Sequence, residues 1–138
     1  MERVPIASLA RNQSANAQKT ILVVDDELNM LSLLEKFLSR QGFHVLLAAD
    51  GEQALEAFCR HKTEIDLVLL DVGLPKVRGM DVLLKMKSEN PDVRVVVASG
   101  YLDPKVKTEM HRAGVKDFVD KPYMLPELLE TLRRLTER

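Results

Sequence analysis

Ile21-Leu22-Val23-Val24-Asp25-Asp26 opens the stretch that decides the fold. Four apolar residues in a row, closed by two carboxylates, have the pattern of a strand buried on both faces. The next segment changes period. Glu27–Arg40 carries Met30, Leu31, Leu33, Leu34, Phe37 and Leu38 at helical spacing, and Gly42 stops it. The same two signals then repeat along the chain. Phe43–Ala48 reads as a second strand, and Asp50 with Gln53 reads as a helix cap with its reciprocal partner, ahead of Ala54, Leu55 and Phe58. Leu67-Val68-Leu69-Leu70 is a third buried strand ended by Asp71. A loop with Gly73, Pro75 and Gly79 leads into a helix carrying Val82, Leu83, Leu84 and Met86. Val93–Ala98 is a fourth strand, ended by Ser99-Gly100. Asp103-Pro104 caps a helix that runs to Gly114. Asp117-Phe118-Val119 is a short fifth strand ended by Asp120-Lys121-Pro122. Leu125, Leu128, Leu129, Leu132 and Leu135 mark a last amphipathic helix.

Five strands, each followed by a helix, predict an α/β fold: an open parallel sheet with helices on both faces. A length of 138 residues suits one domain. It excludes a closed eight-stranded barrel, which needs about 250 residues. Residues 1–19 read as a flexible leader, because Arg11–Gln18 is polar, small and without apolar periodicity. Residues 20–138 read as the folded domain.

Composition narrows the function classes. Hydrophobic residues at 46% and charged residues at 30% are ordinary for a globular chain and exclude wholesale disorder. Lys and Arg total 20 against 21 Asp and Glu, so no net field draws the chain to nucleic acid or an anionic membrane. The single Cys59 excludes an internal disulfide framework. It suits a reducing compartment, and as a helical residue it reads as packing. No apolar run nears the ~20 residues of a membrane span, and Met1–Lys19 lacks the apolar core of a signal peptide. A cytoplasmic location is the expectation. His44, His61 and His111 are scattered, without ligand spacing.

Parallel strands place their carboxyl ends on one edge of the sheet, and ligands of open α/β sheets bind outside that edge. The residues that end the strands therefore describe the site: Asp25 and Asp26, Asp71, Ser99, and Lys121. Asp50 ends the second strand but is already explained as a cap. Three crowded carboxylates repel one another, by about 4 kcal/mol per pair at ~4 Å and an effective dielectric of 20. Such a cluster suits Mg²⁺, a hard cation that takes one or two carboxylates, keeps waters and shares phosphate oxygens. Lys121 supplies a point charge for a phosphate oxygen and Ser99 a hydroxyl donor. Aspartyl-phosphate formation is an established covalent strategy. The residues point to Mg²⁺-assisted phosphoryl transfer to, or binding beside, an Asp.

Asp25-Asp26-Glu27 after strand one, Asp71 followed by Leu74-Pro75 and Gly79, Ser99-Gly100, and Lys121-Pro122 together resemble the receiver domain of two-component response regulators. The resemblance covers Thr20 to about Arg138. It implies a flavodoxin-like sheet of order 2-1-3-4-5, with Asp71 as the phosphoacceptor and Asp25 and Asp26 as the acidic pair holding Mg²⁺. Asp26 would be the more direct ligand beside Asp71, joined by the backbone carbonyl of Gly73. Ser99 would be the switch hydroxyl, Lys121 its charge partner, and Phe118 the aromatic whose rotamer follows the switch. Lys121-Pro122 would be a cis peptide. The implied partners are a sensor histidine kinase or histidine phosphotransferase, a downstream protein met through the fourth helix, fifth strand and fifth helix, and a second copy of the chain upon phosphorylation. That surface would carry Lys105, Lys107, Arg112 and Tyr123, with Lys116 beside them. The chain would take up and lose the phosphoryl group itself without being a turnover enzyme.

Departures from the family pattern are mild. Leu74 stands where Met is common, and Met124 where a polar helix cap is frequent. Gly73 lacks a side chain to orient or block water near the phosphoryl group, whereas Tyr101, two residues past Ser99, could partly cover the site. Two other classes share parts of this pattern. A haloacid-dehalogenase-like phosphatase also uses an Asp after strand one, but it expects Asp-x-Asp then Thr or Val, and Asp25-Asp26-Glu27-Leu28-Asn29 does not match. A receiver-like binding module without phosphorylation would be expected to lack Asp71 or Lys121, and both are present. The receiver reading is the stronger.

Overall fold

A computed structural model describes residues 18–73 and 78–137. Most of the expected leader, and the Leu74-Pro75 pair, lie outside the described residues. The elements alternate along the chain as β1 (Thr20–Val24), α1 (Leu28–Arg40), β2 (His44–Ala48), α2 (Gly51–His61), β3 (Leu67–Asp71), α3 (Gly79–Glu89), β4 (Arg94–Ser99), α4 (Pro104–Arg112), β5 (Asp117–Asp120) and α5 (Leu125–Thr136). The five strands form one sheet, ordered β2-β1-β3-β4-β5, with every pairing parallel. This is the 2-1-3-4-5 order implied by the resemblance. The chain adds its second strand on one side of β1 and its later strands on the other, so a crevice opens at the carboxyl ends of β1 and β3.

The unbroken apolar runs follow from burial on both faces. Leu22 and Val24 of β1, Val68 and Leu70 of β3, and Val95 and Val97 of β4 join Ala54, Phe58, Val82, Met86 and Met110 in one core. The residues between them, Ile21, Val23, Leu67, Leu69, Val96 and Ala98, point the other way and meet Leu31, Leu34, Leu38, Leu128 and Leu132. Thus α2, α3 and α4 cover one face and α1 and α5 the other. Each fully buried Leu, Val or Phe contributes about 1.5–3 kcal/mol. That two-sided core makes β1, β3 and β4 rigid supports for whatever their ends carry.

Helix boundaries follow local chemistry, with small departures from expectation. Asp50 caps α2 by accepting the Gln53 N–H at 2.8 Å, but Gln53 Oε1 accepts the N–H of Ala49, one residue short of a reciprocal box. Asp103 caps α4 through the Lys105 N–H, with Pro104 in the first turn. Met124 gives α5 no side-chain cap, as its apolar side chain requires. Gly42, at φ 97°, makes the left-handed turn between α1 and β2. Cys59 is exposed on α2, which corrects the reading of it as a packing residue: Ala54 and Phe58 define the buried face, and Cys59 lies off it.

Candidate functional site

Two of the strand-end carboxylates are buried and held by the backbone that follows them. Asp25, directly after β1, is fully buried, and its Oδ1 accepts the Glu27 N–H at 2.9 Å. Asp71 ends β3 at 5% exposure, and its Oδ1 accepts the Gly73 N–H at 2.9 Å. Each aspartate thus folds its own loop through an i to i+2 bond. The other oxygen of each faces the same cation. Lys121 Nζ, just beyond β5, donates to Asp25 Oδ2 at 3.0 Å and to Asp71 Oδ2 at 3.0 Å.

Asp26 sits at the exposed rim, and one carboxylate oxygen from each of Asp25, Asp26 and Asp71 lies within 4.8 Å of the others. Among the described residues one ammonium faces these three carboxylates, a formal charge of −2. Three oxygen donors, one open to solvent, suit Mg²⁺ retaining part of its water shell. Burial pulls the Lys121 ammonium toward deprotonation, but hydrogen bonds to Asp71 and Asp25, and their charges, hold its pKa above the ordinary 10.5. A raised lysine adds stability that is fully present below the unfolded value and is lost as pH rises through the folded one. Its contribution is therefore constant through neutral pH.

The remaining expected residues stand near but are not joined to this group. Ser99 ends β4 half-buried, and its hydroxyl donates to the Tyr101 carbonyl at 2.6 Å. It is turned into its own loop, away from any hydrogen bond with Asp71. Phe118 lies on β5 opposite Val97 of β4, half-buried, against the His111 ring and beneath Lys107 Nζ. Lys121-Pro122 is cis. Tyr101 is 82% exposed.

The resemblance puts Tyr123 on the α4–β5–α5 surface, and the structure shows it half-buried there, with its ring beside Lys121. Its hydroxyl is buried with no hydrogen-bond partner among the described residues, and Lys121 Nζ lies 5.8 Å from its ring centroid. Burial first, then the charges of Asp25, Asp71 and Glu27, push its phenol far above the usual range. The ring thus borders the lysine side of the acidic site. The only signal in the chain is its position two residues after Lys121, one turn before the buried face of α5.

Comparison with known proteins decides the family. The response regulator receiver domain model matches residues 21–133. This chain belongs to that family. CpxR of Escherichia coli, a transcriptional regulatory protein, is 37% identical over 120 residues, covering 86% of this chain and 49% of its own length. The chain thus spans about half the length of the curated relatives it matches. A receiver domain protein from Clostridium thermocellum superposes with a TM-score of 0.81 at 28% identity, covering 87% of this chain and 95% of that one. TrrA of Thermotoga maritima, a response regulator solved in complex with Mg²⁺-BeF, gives 0.74 at 30% identity, over 86% of this chain and 99% of that one. The receiver reading and the flavodoxin-like fold hold, and neither the phosphatase nor the unphosphorylated binding module is favoured. Receiver domains bind Mg²⁺ at an acidic pocket, work with histidine kinases and downstream targets, and are generally not turnover enzymes. Among the described residues no helix is long and apolar enough to cross a membrane.

Proposed function

We propose that this receiver domain accepts a phosphoryl group on Asp71, delivered by a sensor histidine kinase, a histidine phosphotransferase or a small acyl phosphate. The observation that carries the reading is Lys121 Nζ held 3.0 Å from both Asp25 and Asp71. A lysine so placed stands beside the carboxylate that would carry the phosphoryl group, where it can meet the negative charge of the phosphoryl oxygens. In the transfer, an Asp71 oxygen bonds to phosphorus while the bond from phosphorus to the donor's nitrogen or oxygen breaks, and the leaving group keeps the electron pair. Asp26, Asp71 and the Gly73 carbonyl would hold Mg²⁺, with Asp25 behind them, and the bound ion would neutralise carboxylate charge and take phosphoryl oxygens. Lys121 would then shift part of its hydrogen bonding to the phosphoryl group. Uptake of one phosphate from acetyl phosphate in Mg²⁺, read by mass spectrometry, tests the proposal.

Metal binding has its own readout. A ligand of the native state must raise the melting midpoint. Mg²⁺ is expected to raise that of the wild type by several degrees and to lose most of this effect in Asp26→Asn. Without the ion, Asp26→Asn melts at or above the wild type, because one of three like charges is gone. Equal Mg²⁺-induced shifts in the two proteins would count against the assignment.

The proposal extends to signalling. A phosphoryl group brings ~1.5–2 negative charges beside Lys121 and Ser99. Ser99 exchanging its Tyr101 bond for a phosphoryl oxygen would free space behind β4 for Phe118, altering the α4–β5–α5 face toward a downstream protein or a second copy. NMR shift changes on adding beryllofluoride are expected to run from Asp71 through Ser99 to Phe118 in the wild type. In Ser99→Ala they are expected to stop short of Phe118. Undiminished changes at Phe118 in that variant would show another coupling route.

A further inference from the structure

Phe118 is gripped from outside its strand by two side chains that the phosphoryl chemistry does not use. Lys107 and His111 lie one turn apart on α4 and so share a helix face. The His111 ring stands 5.0 Å from the Phe118 ring between centroids, tilted by 59°. Lys107 Nζ lies over the same ring, 5.0 Å from its centroid. Tilted aromatic pairs and ammonium groups over a ring face are both attractive at these distances. In the same structure Ser99 Oγ is committed to the Tyr101 carbonyl. The gripped ring and the withdrawn hydroxyl occur together.

We propose that Lys107 and His111 form a clasp on Phe118 that favours the withdrawn position of Ser99, and so sets how readily phosphorylation turns the α4–β5 surface. The proposal rests on the reading of Asp71 as acceptor and Phe118 as the aromatic that follows Ser99. The ring cannot move inward behind β4 and keep both contacts, because both partners stand on α4. Contacts made in only one of two arrangements bias the equilibrium by their full strength. A contact of either kind corresponds to about a threefold change in population, and the two together to about tenfold. The apparent affinity of a phosphoryl mimic is reduced by the same factor, since it is scaled by the fraction of competent protein. Lys107 and His111 are positioning residues that act through Phe118.

The test is a titration of the full chain with beryllofluoride and Mg²⁺, followed by NMR at fixed pH. The proteins compared are the wild type, Lys107→Met, His111→Leu, the double variant and Lys107→Arg. Both residues are exposed, so the substitutions leave the fold intact. Each single variant is expected to bind the mimic about threefold more tightly and the double variant about tenfold. Lys107→Arg is expected to match the wild type, because a guanidinium keeps its place over the ring. A purely structural contact would lower the melting midpoint of the variants and leave mimic affinity unchanged. Equal or weaker affinity in the double variant overturns the clasp while leaving Asp71 as acceptor. The absence of any saturable response in the wild type overturns the acceptor reading, and the clasp's role with it.

Discussion

Acetyl phosphate with Mg²⁺ is expected to add one phosphoryl group to the wild-type chain and none to Asp71→Asn. The substitution is nearly isosteric, so the loop that Asp71 closes through the Gly73 N–H is kept by the amide oxygen. What disappears is the anionic nucleophile. An amide oxygen does not displace a leaving group from phosphorus, so uptake falls to background. Stability should change little, because Asp25 continues to pair with Lys121 at 3.0 Å. That separation makes the result readable: a folded protein with a wild-type melt and no mass gain. Persistence of the gain in Asp71→Asn, or in the wild type with EDTA, would sink the assignment.

Lys121→Met is the substitution with the largest expected effect on stability. Asp25 is fully buried and Asp71 nearly so, and one ammonium answers both. Removing one partner of a buried pair costs about 3–5 kcal/mol, because the charge left behind is uncompensated. For a domain of this size that is on the order of 10 °C in the melting midpoint. Mg²⁺ should recover more of the loss in Lys121→Met than it adds to the wild type, since the ion is then the sole cation in the cluster. Asp25→Asn on the same background should also recover part of it without metal. A Lys121→Met protein melting with the wild type would mean that the carboxylates are satisfied by water.

Periodicity alone made the fold legible. β1, β3 and β4 are apolar runs because both faces are covered, and each ends where polarity returns, so Asp25, Asp71 and Ser99 could be placed on one edge before any coordinates. What stayed hidden depends on direction rather than position. Asp25 and Asp26 are neighbours in sequence, yet one is sealed inside and the other stands at the rim. The Ser99 hydroxyl is spent on the Tyr101 carbonyl, a choice among rotamers that no spacing rule reports. The resemblance names Tyr123 only as part of a surface, whereas its ring lies by Lys121 and its hydroxyl turns inside. Cys59 erred the other way, since the identity of a small apolar residue says nothing about which side of α2 it occupies.

The ammonium that bridges Asp25 and Asp71 comes from the far end of the chain, 96 residues from the first and 50 from the second. Contacts of such sequence separation carry the entropy of closing long loops and form late in folding. During synthesis Asp71 is made well before Lys121, so an emerging chain holds this carboxylate without the ammonium that pairs with it. Only when β5 has docked on β4 does the lysine arrive. On the proposed reading, competence to receive a phosphoryl group requires the last strand in place, and a chain cut before β5 is expected not to take up phosphate.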